Sequence, residues 1–272
     1  MRIGLFIPCF IDAFYPEVGI TTLELLERLG CDVDYPFDQT CCGQPMVNAG
    51  AHAEAAATEQ LFVDNFAAYD VIVAPSGSCV HQVRNNHDAI EQTAAVRHVR
   101  ENTHELVEFL HDVLEVREFP WARFAHKVGY HDACNTLRSL GHGTPPERNE
   151  PYFSKPRALL ENVAGLELML SHRPGEYCGF GGTYSVIEPE VSGQMGRNKV
   201  CDHAPKPDPH QTREVPMSRR KPCRIRLAPA QASGQERLCG LALFAKLAAL
   251  QSVEHLGARA RSAAAAARRQ FS

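Results

Sequence analysis

Two adjacent cysteines followed by glycine, Cys41-Cys42-Gly43, constrain this chain more than any other stretch. Glycine has no side chain, so the backbone at Gly43 can come close to a bulky ligand. Cys9 precedes this motif and Cys79 follows it, each at a point where an apolar run gives way to a polar segment. The pattern therefore predicts that the thiols of Cys9, Cys41, Cys42 and Cys79 converge on one site.

Short apolar runs alternate with helical patterns along the first part of the chain. This alternation predicts an α/β fold with a parallel sheet, and such sheets bind ligands beyond the carboxyl ends of their strands. Cys9 and Cys79 each follow a predicted strand, so they fall at that edge, and the turn with Cys41 and Cys42 can reach it. The predicted strands are residues 3–8, 33–36 and 71–74, and the predicted helices are residues 21–29, residues 51–69 and a segment that begins at Cys79.

The beginning of the chain is repeated further along. Residues 127–134 carry glycine and cysteine at the same places as residues 2–9, and a Leu-Leu-Glu segment precedes a Cys-Gly pair in both copies. Self-similarity of this kind is typical of duplicated structural units. The repeat predicts two similar α/β halves with parallel sheets, residues 1–122 and residues 123–200.

The second copy is incomplete as a metal site. Cys134 and Cys178 keep the register of the first copy, whereas Tyr177 stands where the first cysteine of the pair would be. No cysteine occupies the place that corresponds to Cys79. Cys134 and Cys178 remain candidate metal ligands, but two thiols are too few for a cubane cluster, which needs about four protein ligands.

The end of the chain differs in charge and composition from the rest. Residues 1–200 carry 15 Lys and Arg against 27 Asp and Glu, whereas residues 201–272 carry 13 against 5. From Cys201 to Pro229 the sequence is rich in proline and cationic residues and has no strand or helix period, whereas residues 238–256 have a pattern compatible with a helix. Residues 201–272 are therefore predicted to be an irregular basic tail, and their composition suggests a divergent or frame-shifted end.

The cysteines and the motifs around them are similar to a known family. The residues that carry the resemblance are Cys9, Cys41-Cys42-Gly43, Cys79, Cys134 and Cys178-Gly179-Phe180-Gly181-Gly182-Thr183. They resemble the duplicated cysteine-rich domain of the family that includes the lactate-utilisation iron-sulfur protein, the glycolate oxidase iron-sulfur subunit and one of the subunits of heterodisulfide reductase. The resemblance covers residues 1–200 and departs from the family at Tyr177, at the missing final cysteine and at Ser76, where some members have a further cysteine.

The resemblance implies two Rossmann-like halves, iron-sulfur ligation and electron transfer during oxidation of L-lactate or another 2-hydroxy acid. It also implies that the partners are other subunits of a lactate-utilisation-type oxidoreductase complex. On that basis we expect an electron-transfer subunit without a catalytic role of its own.

Thiolate chemistry independently favours an iron-sulfur cluster in the first half. Thiolates are soft ligands that suit iron-sulfur clusters or zinc, and four of them complete a single [4Fe-4S] cluster. Adjacent cysteines are awkward for one zinc ion, because structural zinc sites space their paired ligands about two to four residues apart. A thiol-disulfide switch or a structural zinc module remains the alternative function. Four further cysteines are interpreted as small buried hydrophobic residues: Cys31, Cys201, Cys223 and Cys239.

Several other interpretations follow from what the sequence lacks. We find no secretory signal, no run long enough to span a membrane and no flavin motif, so a cytoplasmic location is expected. The basic tail is interpreted as a solvated terminus, without nucleic acid as a partner.

Five glutamates are interpreted as helix-surface charges: Glu54, Glu59, Glu101, Glu105 and Glu108.

Overall fold

The computed structural model of the protein describes residues 1–169, 171 and 173–202. Apart from Cys201 and Asp202, the predicted basic tail lies outside the described residues, as do Cys223 and Cys239. Cys201 and Asp202 are the last two residues of a helix, and the irregular character of the remaining residues of the tail stays a prediction. The helix continues because Asp202 accepts a hydrogen bond from the backbone N–H of Arg173, which fixes its last turn against the preceding loop.

The first half is built on a four-stranded sheet in which every strand pair is parallel, with the strand order β2-β1-β3-β4. Its strands are β1 (Arg2–Leu5), β2 (Asp32–Asp34), β3 (Val71–Ala74) and β4 (Thr103–Glu105). Its helices are α1 (Cys9–Phe14), α2 (Pro16–Arg28), α3 (Gln44–Asn48), α4 (His52–Phe66), α5 (Gly77–Asn86), α6 (Ala94–Asn102) and α7 (Leu106–Glu108), followed by a π-helical turn (Phe109–Val113).

The second half contains a two-stranded parallel sheet in its described part. Its strands are β5 (Lys127–Gly129) and β6 (Glu167–Met169), and its helices are α8 (Cys134–Arg138), α9 (Lys155–Leu160), α10 (Tyr184–Ile187) and α11 (Pro189–Asp202), with a 3-10 turn at Pro146–Arg148. The predicted α/β class with parallel sheets is confirmed. The division of the chain at residue 122 stays a prediction. No helix in the described residues is long and apolar enough to cross a membrane.

The core lies on both faces of the four-stranded sheet. Successive residues of a strand point to opposite faces, so Leu5 and Val73 join one buried cluster while Phe6 and Ile72 join the other. The first cluster also includes Leu159 from the second half, so one apolar core crosses the predicted boundary between the halves. Burial on both faces explains why the central strand Val71–Ala74 is an unbroken apolar run.

Element boundaries differ from the predicted ones where local chemistry overrides the apolar pattern. Helix α2 begins at Pro16, well before the predicted start at residue 21, because proline suits the first turn of a helix. Helix α5 begins at Gly77 rather than at Cys79, and β1 ends at Leu5. Strands β1 and β3 are therefore each followed by a short segment that leads to a cysteine, Cys9 after β1 and Cys79 after β3.

Two of the five glutamates interpreted as surface charges are buried. Glu59 and Glu105 are fully buried, Glu108 is half-buried, and only Glu54 and Glu101 are exposed. Glu59 accepts a hydrogen bond from the backbone N–H of Ala89 at 3.0 Å. Glu105 caps α7 by accepting from Val107 N at 2.8 Å. These two carboxyl groups are buried because they accept hydrogen bonds from backbone N–H groups. Helical periodicity in the sequence does not reveal such bonds.

Glu105 also joins the two halves. Its Oε2 atom lies 3.3 Å from Nδ1 of His142, and both side chains are buried. Burial raises the pKa of Glu105 to about 8, and burial lowers the pKa of His142 to about 4. Burial therefore favours the uncharged form of both side chains.

This pair gives a pH-dependent prediction. Between the ordinary carboxyl pKa of 4.5 and the folded value of about 8, the folded chain keeps a proton that the unfolded chain has lost, so stability falls as pH rises. The pKa of His142 is lowered from 6.5 to about 4, so below pH 6.5 this residue makes stability rise with pH instead. We expect the free energy of unfolding of the wild type, relative to Glu105→Gln, to fall by about 1–2 kcal/mol between about pH 6.5 and 8. Urea unfolding measures it, with Glu54→Gln as the exposed control; a flat difference would contradict the assignment.

A second contact between the halves is a glycine against a threonine. A Cβ atom added at Gly77, the first residue of α5, would collide with the Cγ2 methyl of Thr136 on α8. The missing side chain therefore lets the helix that carries Cys79 pack against the helix that begins at Cys134.

Gly77→Ala should destabilise the fold by about 1–3 kcal/mol because the added methyl overpacks this contact. Thr136→Ser removes the opposing methyl, so we expect Gly77→Ala/Thr136→Ser to recover most of the loss. Chemical unfolding of both variants, with Thr136→Ser alone as the control, measures the coupling. Additive effects would show that the two residues do not limit each other.

Candidate metal centre

Strand pairing brings the first and last cysteines of the predicted site to one edge of the sheet. β1 and β3 are parallel neighbours, with Ile3 opposite Val71, so their carboxyl ends lie side by side. Cys9 is the first residue of α1, which follows β1, and Cys79 lies in the first turn of α5, which follows β3. Parallel pairing thus converts a long separation in sequence into proximity.

The middle pair arrives on the loop between β2 and α3. Gly43 adopts the left-handed conformation, with φ of 84°, and caps α3 immediately after the two cysteines. Only glycine adopts this conformation without strain, while the space around its Cα would admit a side chain. The glycine of the motif is therefore required by backbone geometry.

The four thiols form a continuous set of contacts. The Sγ atoms of Cys9 and Cys41 are 3.6 Å apart. The Cys42 thiol interacts by hydrogen bonds with both Cys41 and Cys79. Cys9 is exposed, whereas Cys42 and Cys79 retain 2% and 8% of their accessible surface. The structure brings the predicted residues together, and their role as ligands stays a prediction.

Hydrogen bonds divide the four thiols into donors and acceptors. The pKa of Cys41 is lowered to about 5, chiefly because the Cys42 thiol donates to it and then because the backbone N–H of Gly43 does. The pKa of Cys79 is also lowered, by Cys42 first and then by the hydroxyls of Ser76 and Ser78. The two donors shift the other way: the pKa of buried Cys42 is well above its ordinary value, and partial burial together with Cys41 raises the pKa of Cys9 to about 11.

In this arrangement the thiols act as hydrogen-bond donors and acceptors for one another. Within the described ranges, no group of three or more His, Cys, Asp or Glu side chains is arranged to hold a metal ion. Metal binding requires each thiol to lose its proton, and a bound metal would replace the hydrogen bonds between thiols. The donor set itself, four soft sulfur atoms at one sheet edge, fits an iron-sulfur group.

Two glutamines, which sequence reasoning did not assign to the site, hold the cysteine loops together. Gln39 accepts a hydrogen bond from Ile7 N at 2.7 Å and donates to the carbonyl of Leu5 at 3.0 Å, which ties the Cys41 loop to the segment before Cys9. Gln44 donates to the carbonyl of Ser78 at 3.3 Å and so ties α3 to the Cys79 turn. Gln44 directly follows the Cys-Cys-Gly motif, whereas no sequence signal marks Gln39.

A buried histidine fixes the backbone at Cys42. His87 Nε2 lies 3.0 Å from the Cys42 carbonyl, and its ring packs edge-on against Phe62 at 5.4 Å. Burial lowers the pKa of His87 to about 4, so the neutral imidazole donates this bond. The thirteen histidines show no metal-ligand spacing, which is why the sequence did not single out His87.

The second half brings Cys134 and Cys178 close enough to interact. Burial raises the pKa of Cys134, as does the neighbouring Cys178, while Arg138 and Lys199 lower it. Tyr177, which replaces the first cysteine of the second pair, is 50% exposed. The guanidinium of Arg138 lies 4.8 Å from the centre of its ring. A cation thus lies over the phenol of the residue that replaces the first cysteine of the pair in the sequence repeat.

Fold and site together define a duplicated α/β protein with a cysteine site at the carboxyl edge of a parallel sheet. A model of the cysteine-rich domain named CCG matches residues 3–84 and 128–209. The chain belongs to this family, and the resemblance seen in the sequence is confirmed.

Three proteins similar to this chain share a name. "Lactate utilization protein A" of Geobacillus kaustophilus (strain HTA426) is 41% identical over 204 residues, which cover 74% of this chain and 81% of that protein. The protein of the same name from Exiguobacterium sp. (strain ATCC BAA-1283 / AT1b) is 40% identical over 206 residues, covering 73% and 79%. That from Halalkalibacterium halodurans is 39% identical over 204 residues, covering 74% and 79%.

Proposed function

We propose that the protein is an iron-sulfur electron-transfer subunit of a cytosolic oxidoreductase complex that oxidises L-lactate or a related 2-hydroxy acid. The observation that carries the proposal is the convergence of four thiols at the carboxyl edge of the sheet, where parallel α/β proteins bind their ligands. Membership of the cysteine-rich family supports it, and so does the name that the similar proteins share.

In this proposal Cys9, Cys41, Cys42 and Cys79 hold one [4Fe-4S] cluster, which supplies one-electron transfer when bound. Burial of Cys42 and Cys79 excludes water from one side of the site, while Cys9 faces solvent. Three groups already aimed at thiol sulfurs would hydrogen-bond to the ligands and tune the reduction potential: the Gly43 N–H, the Gln44 N–H and the Ser76 hydroxyl.

Partner subunits are part of the proposal, because the sequence contains no flavin motif that would supply the substrate chemistry. Cys134 and Cys178 are proposed as metal ligands only if further donors join them. A cytosolic location is part of the proposal, because in a reducing compartment a chain with ten cysteines is suited to metal or redox chemistry rather than to structural disulfides.

Anaerobic purification followed by iron and sulfide analysis tests the proposal. An iron-sulfur protein is brown and contains acid-labile sulfide, whereas a zinc or disulfide protein is colourless. Colourless protein without sulfide after anaerobic reconstitution would reject the proposed function.

Cys42→Ser should remove most of the bound iron, because it deletes a buried ligand that contacts two others. The fold should persist, since the sheet has an apolar core of its own and does not depend on metal as a small zinc domain does. Cys31→Ser is the matched control: Cys31 packs against the other core cluster and should leave the iron content unchanged. Iron analysis and circular dichroism measure both outcomes, and full iron retention in Cys42→Ser contradicts the ligand assignment.

Reconstituted protein should contain about four iron atoms per chain, one cluster's worth. Tyr177→Cys should not raise this number, because the ligand that corresponds to Cys79 is still missing in the second half. Iron analysis with electron paramagnetic resonance decides the point. About eight iron atoms with two spectroscopic signals would show that the second half completes a cluster of its own.

A second candidate function is a thiol-disulfide switch. The 3.6 Å separation of Cys9 and Cys41, together with the lowered pKa of Cys41, favours attack by a Cys41 thiolate during disulfide exchange. Structural zinc is the other form of this alternative. Metal analysis separates the two, and a Cys9–Cys41 disulfide found by peptide mapping in protein without iron would favour the switch.

A further inference from the structure

Exposed aromatic rings lie on the helix that begins at Cys9, the site thiol that faces solvent, and on the loop that leads to Cys41. Phe10 and Phe14 on α1 are 52% and 68% exposed, and Phe37, on the loop after β2, is 75% exposed. Phe10 is the residue after Cys9, and its ring centre lies 5.5 Å from that of Phe14. We refer to Phe10, Phe14 and Phe37 as the aromatic surface. Exposed aromatic clusters of this kind mark interaction sites rather than ordinary protein surface.

Hydrogen bonds hold the loop with Phe37 against the segment that precedes α1. Gln39, two residues further on, bonds to the backbone of Leu5 and Ile7 at the carboxyl end of β1. Tyr35, on the same loop, packs edge-on against Phe37, with the ring centres 5.6 Å apart. Burial raises the pKa of Tyr35, and the charge of Asp12 on α1 raises it further. The hydrogen bonds of Gln39 therefore hold the loop with Phe37 against the carboxyl end of β1, from which the chain continues into α1 with Phe10 and Phe14.

The segment of the chain that carries this surface has few cationic residues. Arg28 is the only Lys or Arg between Arg2 and Arg84, and its guanidinium lies 4.8 Å from the ring centre of Trp121. Asp12 and Asp38 are exposed beside the aromatic surface. In the part of the chain that the structure describes, neither forms an ion pair. An aromatic centre with an acidic rim is complementary to a basic protein.

We propose that the aromatic surface around Cys9, with Asp12 and Asp38 at its rim, docks a positively charged electron-carrier protein. This inference rests on the proposed function, because a carrier must approach the exposed side of the site. A second copy of this chain fits less well, since it would place the same acidic rims against each other. A surface of three rings and two carboxylates suits the transient contacts that electron carriers make, which bury less than about 1,200 Å².

Binding of a basic c-type cytochrome, used as the probe carrier, tests the proposal without requiring a cluster. Biolayer interferometry at about 20 mM ionic strength should detect binding by the wild type, and about 300 mM salt should abolish it. Asp12→Asn/Asp38→Asn and Phe10→Ser/Phe14→Ser/Phe37→Ser should each bind about tenfold more weakly. An acidic flavodoxin should not bind.

Matched controls remove other exposed groups of the same kinds. Glu91→Gln/Glu118→Gln removes the same amount of negative charge from other elements, and Phe153→Ser removes a 45% exposed ring in the second half. Both should bind the cytochrome as the wild type does. Equal weakening in controls and surface variants would show that net charge alone drives binding and would overturn the proposal.

Other outcomes are equally decisive. Absence of cytochrome binding by the wild type at low salt overturns the proposal. The same absence of binding is expected if the basic residues 203–272 occupy the surface themselves. A dimer in sedimentation experiments that the surface variants abolish would assign the surface to a second copy instead. Iron and sulfide are measured in the same samples: docking without iron rejects the proposed function alone, and iron without docking rejects this inference alone.

Discussion

Parallel pairing of β1 with β3 is the constraint on which the rest of the site depends. It places the carboxyl ends of two strands side by side and so brings Cys9 and Cys79 to one edge. The Cys41-Cys42 turn needs only to be held against that edge, which Gln39 and Gln44 do through backbone hydrogen bonds. We expect the apolar core on both faces of the sheet to keep this arrangement folded without a bound metal.

Features with a local chemical signature were predictable from the sequence. The buried run at residues 71–74 and the Cys-Cys-Gly turn each have a distinctive pattern, and the structure shows the strand and the convergence of the thiols that follow from them. Hydrogen bonds between segments distant in sequence were not predictable. Gln39, His87, Glu59 and Glu105 act on backbone atoms or side chains far along the chain, and nothing near them in sequence distinguishes them from surface polar residues.

The two halves have diverged in electrostatics as well as in ligands. The first half surrounds its four thiols with an acidic stretch that contains Arg28 as its only Lys or Arg between Arg2 and Arg84. In the second half Arg138 and Lys199 lie close enough to Cys134 to lower its pKa, and Arg138 covers Tyr177. The duplicated fold thus brings four thiols together in the first half, whereas in the second half two cationic side chains act on Cys134. Contacts such as Gly77 against Thr136 still hold the two together.

The most direct test of the account is the location of iron in crystals of anaerobically reconstituted protein. Anomalous diffraction at the iron absorption edge should show one compact peak enclosed by the sulfur atoms of Cys9, Cys41, Cys42 and Cys79, with no comparable peak between Cys134 and Cys178. A peak that excludes any of the four cysteines, or iron found only in the second half, would contradict the central claim that these thiols form one ligand set.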